Sequence, residues 1–282
     1  MTAVQIPAPA VPPADARPPL ALGAATSQRL GEIVNGPVRT ALVRAAFPSA
    51  VYLDSGRGML AVVSVDGLRL PISMVVPASS ATAPFSEVSA GDGATVGAGR
   101  VRAGGLELSV ARWWAPLRPP ALVRPEHLPA RAARLARILQ ARRRTLSDAV
   151  GARLAGVASS VRSRRQFGAV PASLVGLGDG LTPAGDDVLA GLLLSLRYLG
   201  RPACADLLWA AIAESVPRRT TALSGALLSC AAAGDTVPQV IHVLSALAGH
   251  RPLEPALDRL LAIGSTSGSA IAHGLLAGAT GP

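Results

Sequence analysis

The segment with the most distinctive chemistry is a glycine-rich run, residues 176–187 (GLGDGLTPAGDD), that directly follows an apolar stretch. Its glycines let backbone amides approach a ligand closely, and Thr182 followed by Pro183 is typical of a helix N-cap and first helical position. The free amides and the positive dipole end of such a helix favour an anion. We therefore predict that a small anion or a developing oxyanion is bound by Gly176, Gly178, Gly180, Thr182 and Gly185.

Two adjacent carboxylates, Asp186 and Asp187, fall in the first turn of the same predicted helix. They would repel a phosphate unless Mg²⁺ lies between them or they act on another group. Consecutive helical residues point about 100° apart, so one of the two is expected to face the site. The structural alternative is a plain glycine turn whose acidic first turn stabilises the helix.

A second candidate site is the sequence RRTTALS at residues 218–224, at the start of an uncharged helical stretch. A guanidinium offers a bidentate fork to phosphate or carboxylate, and hydroxyls and amides at a helix N-terminus can satisfy the remaining oxygens. We predict that Arg219, Thr220, Thr221 and Ser224 contact an anion. An ordinary capped helix with solvated arginines is the alternative, with equal weight.

A third candidate is the turn Gly264–Gly268 (GSTSG), where an apolar run passes through small hydroxyl residues into another helix. Such a turn can form a nest of amides or a helix cap, and Ser267 and Gly268 are the residues we predict to contact a ligand. A plain turn is again the alternative. Ser267 lacks the GxSxG pattern of a hydrolase nucleophile.

Residue usage excludes several chemistries. All 27 basic residues are arginine, so a Gly-Lys phosphate loop, a lysine Schiff base and a lysine general base are absent. The four histidines lack metal-ligand spacing, and the two cysteines form neither a zinc motif nor a disulfide framework. We expect a protein of the reducing cytoplasm, without an export signal.

The positive charge is concentrated in residues 100–165, which contain 15 arginines against three acids. This block is either a nucleic-acid footprint or the solvated face of an amphipathic helix. From Leu128 to Leu146 the apolar residues share one helical face and arginines lie opposite, and only 3% of residues are aromatic. The helix is therefore favoured, and RNA binding becomes the minor alternative.

The order of the predicted segments around these motifs, β-rich first and helical after, indicates an α+β protein. Residues 1–35 are expected to be a disordered Pro/Ala-rich tail, 36–125 a β-rich domain and 126–282 a helical domain that carries the glycine-rich motif. Residues 36–46 are predicted to be a short helix. The segments 50–54, 58–65 and 68–76, the last two separated by Asp66-Gly67, together predict a hairpin or meander.

Beyond residue 125 the apolar period predicts helices at 127–148, 150–163, 183–199, 203–215, 220–233, 237–249, 253–263 and 269–279. The uncharged runs 220–234 and 260–282 are too short or too interrupted to cross a membrane, so we predict buried helices and no membrane association. Gly274 and Gly278 are expected to form a close helix contact.

The three motifs, in this order, resemble the signature of the AllH family, GLGxGLTPxGDDxLxG followed by RTTxxS and GxTSG. Here residues 176–191, 219–224 and 264–268 supply them, and a β-rich half before them fits the family layout. Two positions depart from the pattern. Asp179 stands where proline is common, and Ala270 stands where some members carry an acid.

The resemblance implies a role in carbamoyl transfer, because the family includes a subunit of oxamate carbamoyltransferase. That enzyme interconverts oxalurate plus phosphate with oxamate plus carbamoyl phosphate, in anaerobic allantoin breakdown, and it needs further subunits.

By this resemblance we expect Arg219, Thr220 and Thr221 to bind one small anion and the 176–180 amides another. Asp186 or Asp187 would hold Mg²⁺ or orient the attacking amide nitrogen. The alternatives are a non-catalytic subunit that docks on a partner and, less favoured, an arginine-rich RNA-binding protein.

Overall fold

The computed structural model of the chain describes residues 20–162 and 170–280, which form a closed β-barrel followed by a layered helical region. The predicted α+β class, with a β-rich unit before a helical one, is confirmed. The eight strands are β1 (Leu20–Ser27), β2 (Arg39–Phe47), β3 (Ala50–Asp54), β4 (Met59–Val63), β5 (Ser73–Val75), β6 (Gly93–Gly97), β7 (Arg100–Ala103) and β8 (Leu106–Trp114).

The barrel closes because its first and last strands pair with each other. The strand order is β1-β5-β4-β3-β2-β6-β7-β8, and β8 returns to lie parallel to β1, from Leu20 opposite Leu106 to Ser27 opposite Trp114. Closure satisfies the backbone groups that an open sheet would leave at its edges. The interior is filled by fully buried side chains that include Leu53, Leu60, Met74 and Leu108.

The sequence-based boundary of the tail is wrong at its C-terminal end. The expected tail covered residues 1–35, but residues 20–35 contain strand β1, a 3₁₀ turn and the short helix α1 (Gly31–Asn35). Leu30 and Val34 are fully buried in this segment. Residues 1–19 lie outside the described part of the chain. The barrel thus begins before the predicted start of the β-rich domain.

Two other predictions in the barrel are wrong for a common reason. Residues 36–46, predicted as a helix, contain most of strand β2, which pairs with β3 on one side and β6 on the other. The predicted hairpin around Asp66-Gly67 is absent, because β4 and β5 pair in parallel. The antiparallel partner of β4 is β3. Long-range strand pairing overrides local propensity in both cases.

The helical region is close to its predicted layout. It comprises α2 (Leu128–Ala141), α3 (Asp148–Arg162), α4 (Ala184–Tyr198), α5 (Pro202–Ile212), α6 (Val216–Arg219), α7 (Ala222–Ala232), α8 (Pro238–Leu247), α9 (Leu253–Leu261) and α10 (Ser267–Ala279). The first helix ends seven residues earlier than predicted, where Arg143 takes a left-handed φ of 50° and the amide of Arg144 donates to the carbonyl of Leu139. No helix among residues 20–162 and 170–280 is long and apolar enough to cross a membrane.

The centre of this region is α4, which contacts α3, α5, α7, α8 and α10. Its partner α10 approaches closely because glycines meet at the crossing. A Cβ atom on Gly191 would lie 2.2 Å from the carbonyl oxygen of Ile271, and one on Gly274 would lie 2.1 Å from that of Val188. The predicted packing role of Gly274 and Gly278 is therefore confirmed: a Cβ atom on Gly278 would lie 2.5 Å from the Cβ of Ser195.

The barrel and the helices are joined by buried charge as well as by apolar contact. Asp235, which follows α7 and is 3% exposed, pairs with Arg29 of the barrel at 3.2 Å. It also pairs with Arg118, in the Pro-rich connection after β8, at 2.7 Å. One carboxylate thus links three parts of the chain.

Candidate functional site

Asp186 organises the glycine-rich loop from within the protein. Its Oδ1 accepts a hydrogen bond from the amide of Gly176 at 2.9 Å, and its Oδ2 accepts from the hydroxyls of Thr220 and Ser224, the latter at 2.7 Å. Asp186 is 1% exposed. Its carboxylate therefore ties the first and second motifs together, and the protein's own donors satisfy it.

The glycines are required by the shape of the loop. Gly176, Gly178 and Gly180 have φ values of 72°, 113° and 91°, in the left-handed region that side chains disfavour. A Cβ atom on Gly176 would lie 1.7 Å from the carbonyl oxygen of Arg219, and one on Gly185 would lie 2.1 Å from that of Leu174. Close backbone packing thus accounts for Gly176 and Gly185.

The hydroxyl of Thr182 does not cap the following helix, contrary to the sequence prediction. Helix α4 begins at Ala184, so Pro183 occupies the N-cap position, with no side-chain cap. The hydroxyl of Thr182 instead lies 3.1 Å from that of Ser267, at the start of α10. The first and third motifs therefore meet.

Asp187 is the carboxylate that faces the cavity formed by these motifs. It is 8% exposed, and its Oδ2 has no hydrogen-bond partner among the described residues. Burial raises the pKa of Asp187 to about 7; the charge of Asp186 contributes to the rise, and the hydroxyls of Ser267 and Thr182 oppose it. A carboxyl group in this state can exchange a proton near neutral pH.

The cavity in front of Asp187 has a volume of about 310 Å³ and lies between the barrel and the helices. Its barrel wall includes Tyr52 and Leu70, and its helical wall includes Leu227 and Ile271. Burial raises the pKa of Tyr52. A larger depression of about 630 Å³, between α2, α3 and α10, contains no predicted site residue. The motifs therefore converge on the smaller cavity.

The hydroxyl groups of the second motif make hydrogen bonds within the protein. Thr221 caps α7 by accepting from the amide of Ser224 at 3.0 Å, and its hydroxyl donates to the carbonyl of Leu181 at 2.6 Å. The hydroxyls of Thr220 and Ser224 are engaged by Asp186, as described above. Arg219 is exposed and does not line the cavity. These residues hold the loop in place.

The third motif contributes one residue to the cavity wall and one to packing. Ser267 lines the cavity, together with Gly264. Gly268 is buried, and a Cβ atom on it would lie 2.0 Å from the carbonyl oxygen of Leu260. The ligand contact of Ser267 therefore stays a prediction, whereas packing against α9 accounts for Gly268.

A magnesium ion shared by Asp186 and Asp187 does not fit this arrangement. The carboxylate of Asp186 already accepts three hydrogen bonds from protein donors, which leaves about one of its four lone-pair sites for a cation. Within the described ranges, no group of three or more His, Cys, Asp or Glu residues is placed to hold a metal. We assign no catalytic step to a metal.

Sequence reasoning did not identify Asp235 or the barrel wall. Asp235 lines the cavity, and it is the sole charged residue between Arg219 and Arg251. That isolation is a signal of a buried, paired charge. Phe47, Tyr52 and Leu70 carried no local signal, because their contact with the helices depends on how the barrel sits on them.

Comparison with known proteins agrees with the motif resemblance. Residues 174–279 match the model of the AllH family, described as oxamate carbamoyltransferase subunit AllH. The match spans all three motifs and most of the helical region, and it begins after the barrel. The resemblance to this family is therefore confirmed over that part of the chain. No solved structure matches the chain.

Proposed function

We propose, on the premise of the AllH match over residues 174–279, that this chain is a subunit of a carbamoyltransferase-type enzyme and that Asp187 is its acid-base group. One observation carries the proposal. The carboxyl of Asp187 is buried in a cavity built by all three motifs, and one of its oxygens has no partner in the described part of the chain. A buried carboxyl that lines a cavity and has an oxygen without a hydrogen-bond partner is suited to accept from a substrate N–H group.

Carbamoyl transfer to an amide nitrogen needs a group that removes a proton. The nitrogen attacks the carbamoyl carbon, a C–N bond forms, and the bond from that carbon to phosphate oxygen breaks with its electron pair leaving on phosphate. The proton released by the nitrogen passes to the carboxylate of Asp187. Because the pKa of Asp187 is about 7, this carboxylate is ionised in part near neutral pH and can return the proton in the reverse reaction.

The phosphate-bearing reactant needs cationic partners outside this cavity. No arginine or histidine of the described chain lines the cavity, and Arg219 lies outside it. We therefore assign the amide side of the reaction to this chain and the phosphate side to a partner subunit. Carbamoyl phosphate, oxamate and oxalurate are the reactants to test first, and the allantoin pathway is the first metabolic context to examine.

A docking subunit without chemistry of its own is the second candidate. It is favoured by the internal use of Thr220, Thr221 and Ser224, and by the exposed loop tip at Gly178, Gly180 and Leu181 beside the cavity. Such a subunit would form a stable complex whose turnover does not depend on Asp187.

The test is the substitution Asp187→Asn in the enzyme assembled with its partner subunits. We expect the rate of carbamoyl transfer to fall by roughly 10²- to 10⁴-fold, because Asn cannot accept the proton. Asp206→Asn is the matched control, since this exposed acid pairs with Arg197 far from the cavity. Full turnover by the Asp187→Asn enzyme would rule out the acid-base role and favour the docking subunit.

A further inference from the structure

The cavity is lined by carboxyl groups and by no cationic side chain of the described chain. The ionisable residues that line it are Asp187, Asp235 and Tyr52, and in the described chain no cationic side chain joins them. The charge of Asp235 is balanced by Arg29 and Arg118, whose guanidiniums do not line the cavity. A carboxylate or phosphate group on a ligand would therefore meet Asp187 without a compensating cation, which a site of low polarity strongly disfavours.

The cavity is also larger than a two-carbon acid amide requires. A volume of about 310 Å³ corresponds to the liquid volume of roughly ten water molecules. Oxamate has six non-hydrogen atoms, as its formula shows, so it would leave part of this space to water. A ligand that fills the cavity has several more non-hydrogen atoms than oxamate.

The additional space is bounded by apolar surface. On the barrel side lie Phe47, Tyr52 and Leu70, with the rings of Phe47 and Tyr52 packed edge to face at 6.1 Å. On the helical side lie Leu227 and Ile271. These walls offer contact to carbon atoms and few hydrogen bonds, so the part of the ligand away from Asp187 is apolar.

We infer that the cavity binds an uncharged carboxamide or urea with an apolar substituent, its N–H group directed at the carboxylate of Asp187 and its substituent against the barrel wall. The role of Asp187 as the group that meets the amide rests on the proposed function. The substrate class follows from charge, volume and wall composition. It differs from the small anions that the family resemblance suggests.

A binding series on the full chain tests the inference. At pH 8, Kd values are measured by NMR titration for acetamide, butanamide and hexanamide, for butanoate and hexanoate, and for oxamate. We expect affinity for the amides to rise roughly fourfold for each added methylene. We expect each carboxylate to bind at least tenfold more weakly than the amide of equal length. Oxamate binding more tightly than hexanamide, or amide affinities independent of chain length, would overturn the inference.

Two variants locate the binding. Asp187→Asn should reduce the preference for hexanamide over hexanoate toward unity, because the repelling charge is gone. Ala190→Leu, which fills the cavity from α4, should weaken hexanamide more than acetamide. If the Ala190→Leu protein does not fold, the Kd values of the wild-type chain still test the inference. Retained carbamoyl transfer in the Asp187→Asn enzyme would overturn the proposed function but would not affect the binding series. Amide Kd values that do not change with chain length would overturn only the inference.

Discussion

Asp186 and Asp187 are neighbours in the chain with opposite surroundings. Asp186 accepts three hydrogen bonds and holds two motifs together, whereas Asp187 keeps an oxygen without a partner in the described chain and faces a cavity. The difference arises because successive side chains on α4 point about 100° apart. Asp186 thus stabilises the loop, whereas burial of the Asp187 carboxylate lowers the stability of the fold.

That cost predicts a pH dependence of stability. The pKa of Asp187 is about 7 in the folded protein and near its ordinary value of 3.8 in the unfolded chain. Below pH 3.8 both states are protonated. Between pH 4 and 7 the unfolded chain releases a proton that the folded protein retains, so rising pH destabilises the fold, and the cost is complete above pH 7.

We therefore expect Asp187→Asn to change the free energy of unfolding little at pH 4 and to increase it by a few kcal/mol at pH 8. Urea unfolding of both proteins across this range measures the difference. A gain that is equal at pH 4 and pH 8 would show that the carboxyl titrates normally.

The opposite effect is expected at the neighbouring position. Asp186→Ala leaves the amide of Gly176 and the hydroxyls of Thr220 and Ser224 without their acceptor, so we predict a loss of roughly 3 kcal/mol of stability. The measurement is urea unfolding at pH 7. A loss below about 0.5 kcal/mol, the usual range of surface substitutions, would contradict the network described here.

At the scale of the elements, the site depends on how closely α4 and α10 pack. The two helices start at Ala184 and Ser267, beside the hydroxyls of Thr182 and Ser267 that lie 3.1 Å apart. Further along, glycines on each helix contact backbone of the other. Separating the helices would move Ser267 away from Asp187.

Gly191→Ala tests this packing. The added Cβ would lie 2.2 Å from the carbonyl oxygen of Ile271, so the helices must separate, and we expect a loss of about 3 kcal/mol. Gly151→Ala in α3 is the matched control, since a Cβ there meets nothing within 4 Å and should stabilise the helix by about 0.5–1 kcal/mol. Thermal unfolding compares the two, and equal effects would contradict the packing argument.

The helical elements were predictable because their signals are local. The helical spacing of apolar residues, with Gly or Pro at most helix ends, predicted most of the helices. The start of α4 after the glycine-rich motif was predicted within one residue. The barrel was predicted as β-rich, but its pairing was not. Strand β2 was predicted as a helix and β4–β5 as a hairpin, since nothing within those segments specifies that β5 pairs between β1 and β4.

The sequence predicted which segments form the candidate site. It did not predict what the individual residues in those segments contact. All three motifs converge, yet Arg219 is exposed while Asp235, 16 positions later, lines the cavity. Thr220 and Ser224 donate hydrogen bonds to Asp186, and their contact with an anion stays a prediction. Sequence shows which groups can bind an anion; it does not show that buried donors are already satisfied by a carboxylate from the neighbouring motif.

At the scale of the whole molecule, Asp235 couples the two units. Its pairs with Arg29 and Arg118 connect barrel, linker and helices at the rim of the cavity. Because the cavity has walls from both units, its shape depends on this connection. The barrel is therefore part of the site and not an appendage to the helical region that matches the family.

Asp235→Ala should weaken the coupling. We expect a loss of about 2 kcal/mol, at the lower end for a broken buried pair because both guanidiniums are partly exposed and can regain water. In a Trp209→Phe background, which removes the tryptophan of α5, we also expect the fluorescence of Trp113 and Trp114 in β8 to report an unfolding midpoint different from that of helical circular dichroism. Asp206→Ala serves as control, and coincident midpoints in the Asp235→Ala protein would argue against coupling through this residue.

Closure of the barrel by its first and last strands also constrains when the protein can fold. Strand β1 gains its parallel neighbour only once Trp114 has been synthesised, and Asp235, which joins the units, follows more than a hundred residues later. Before β8 pairs with β1, strand β1 exposes an unpaired edge. Non-local pairing of this kind slows folding, so the nascent chain is most prone to aggregation before β8 has closed the barrel.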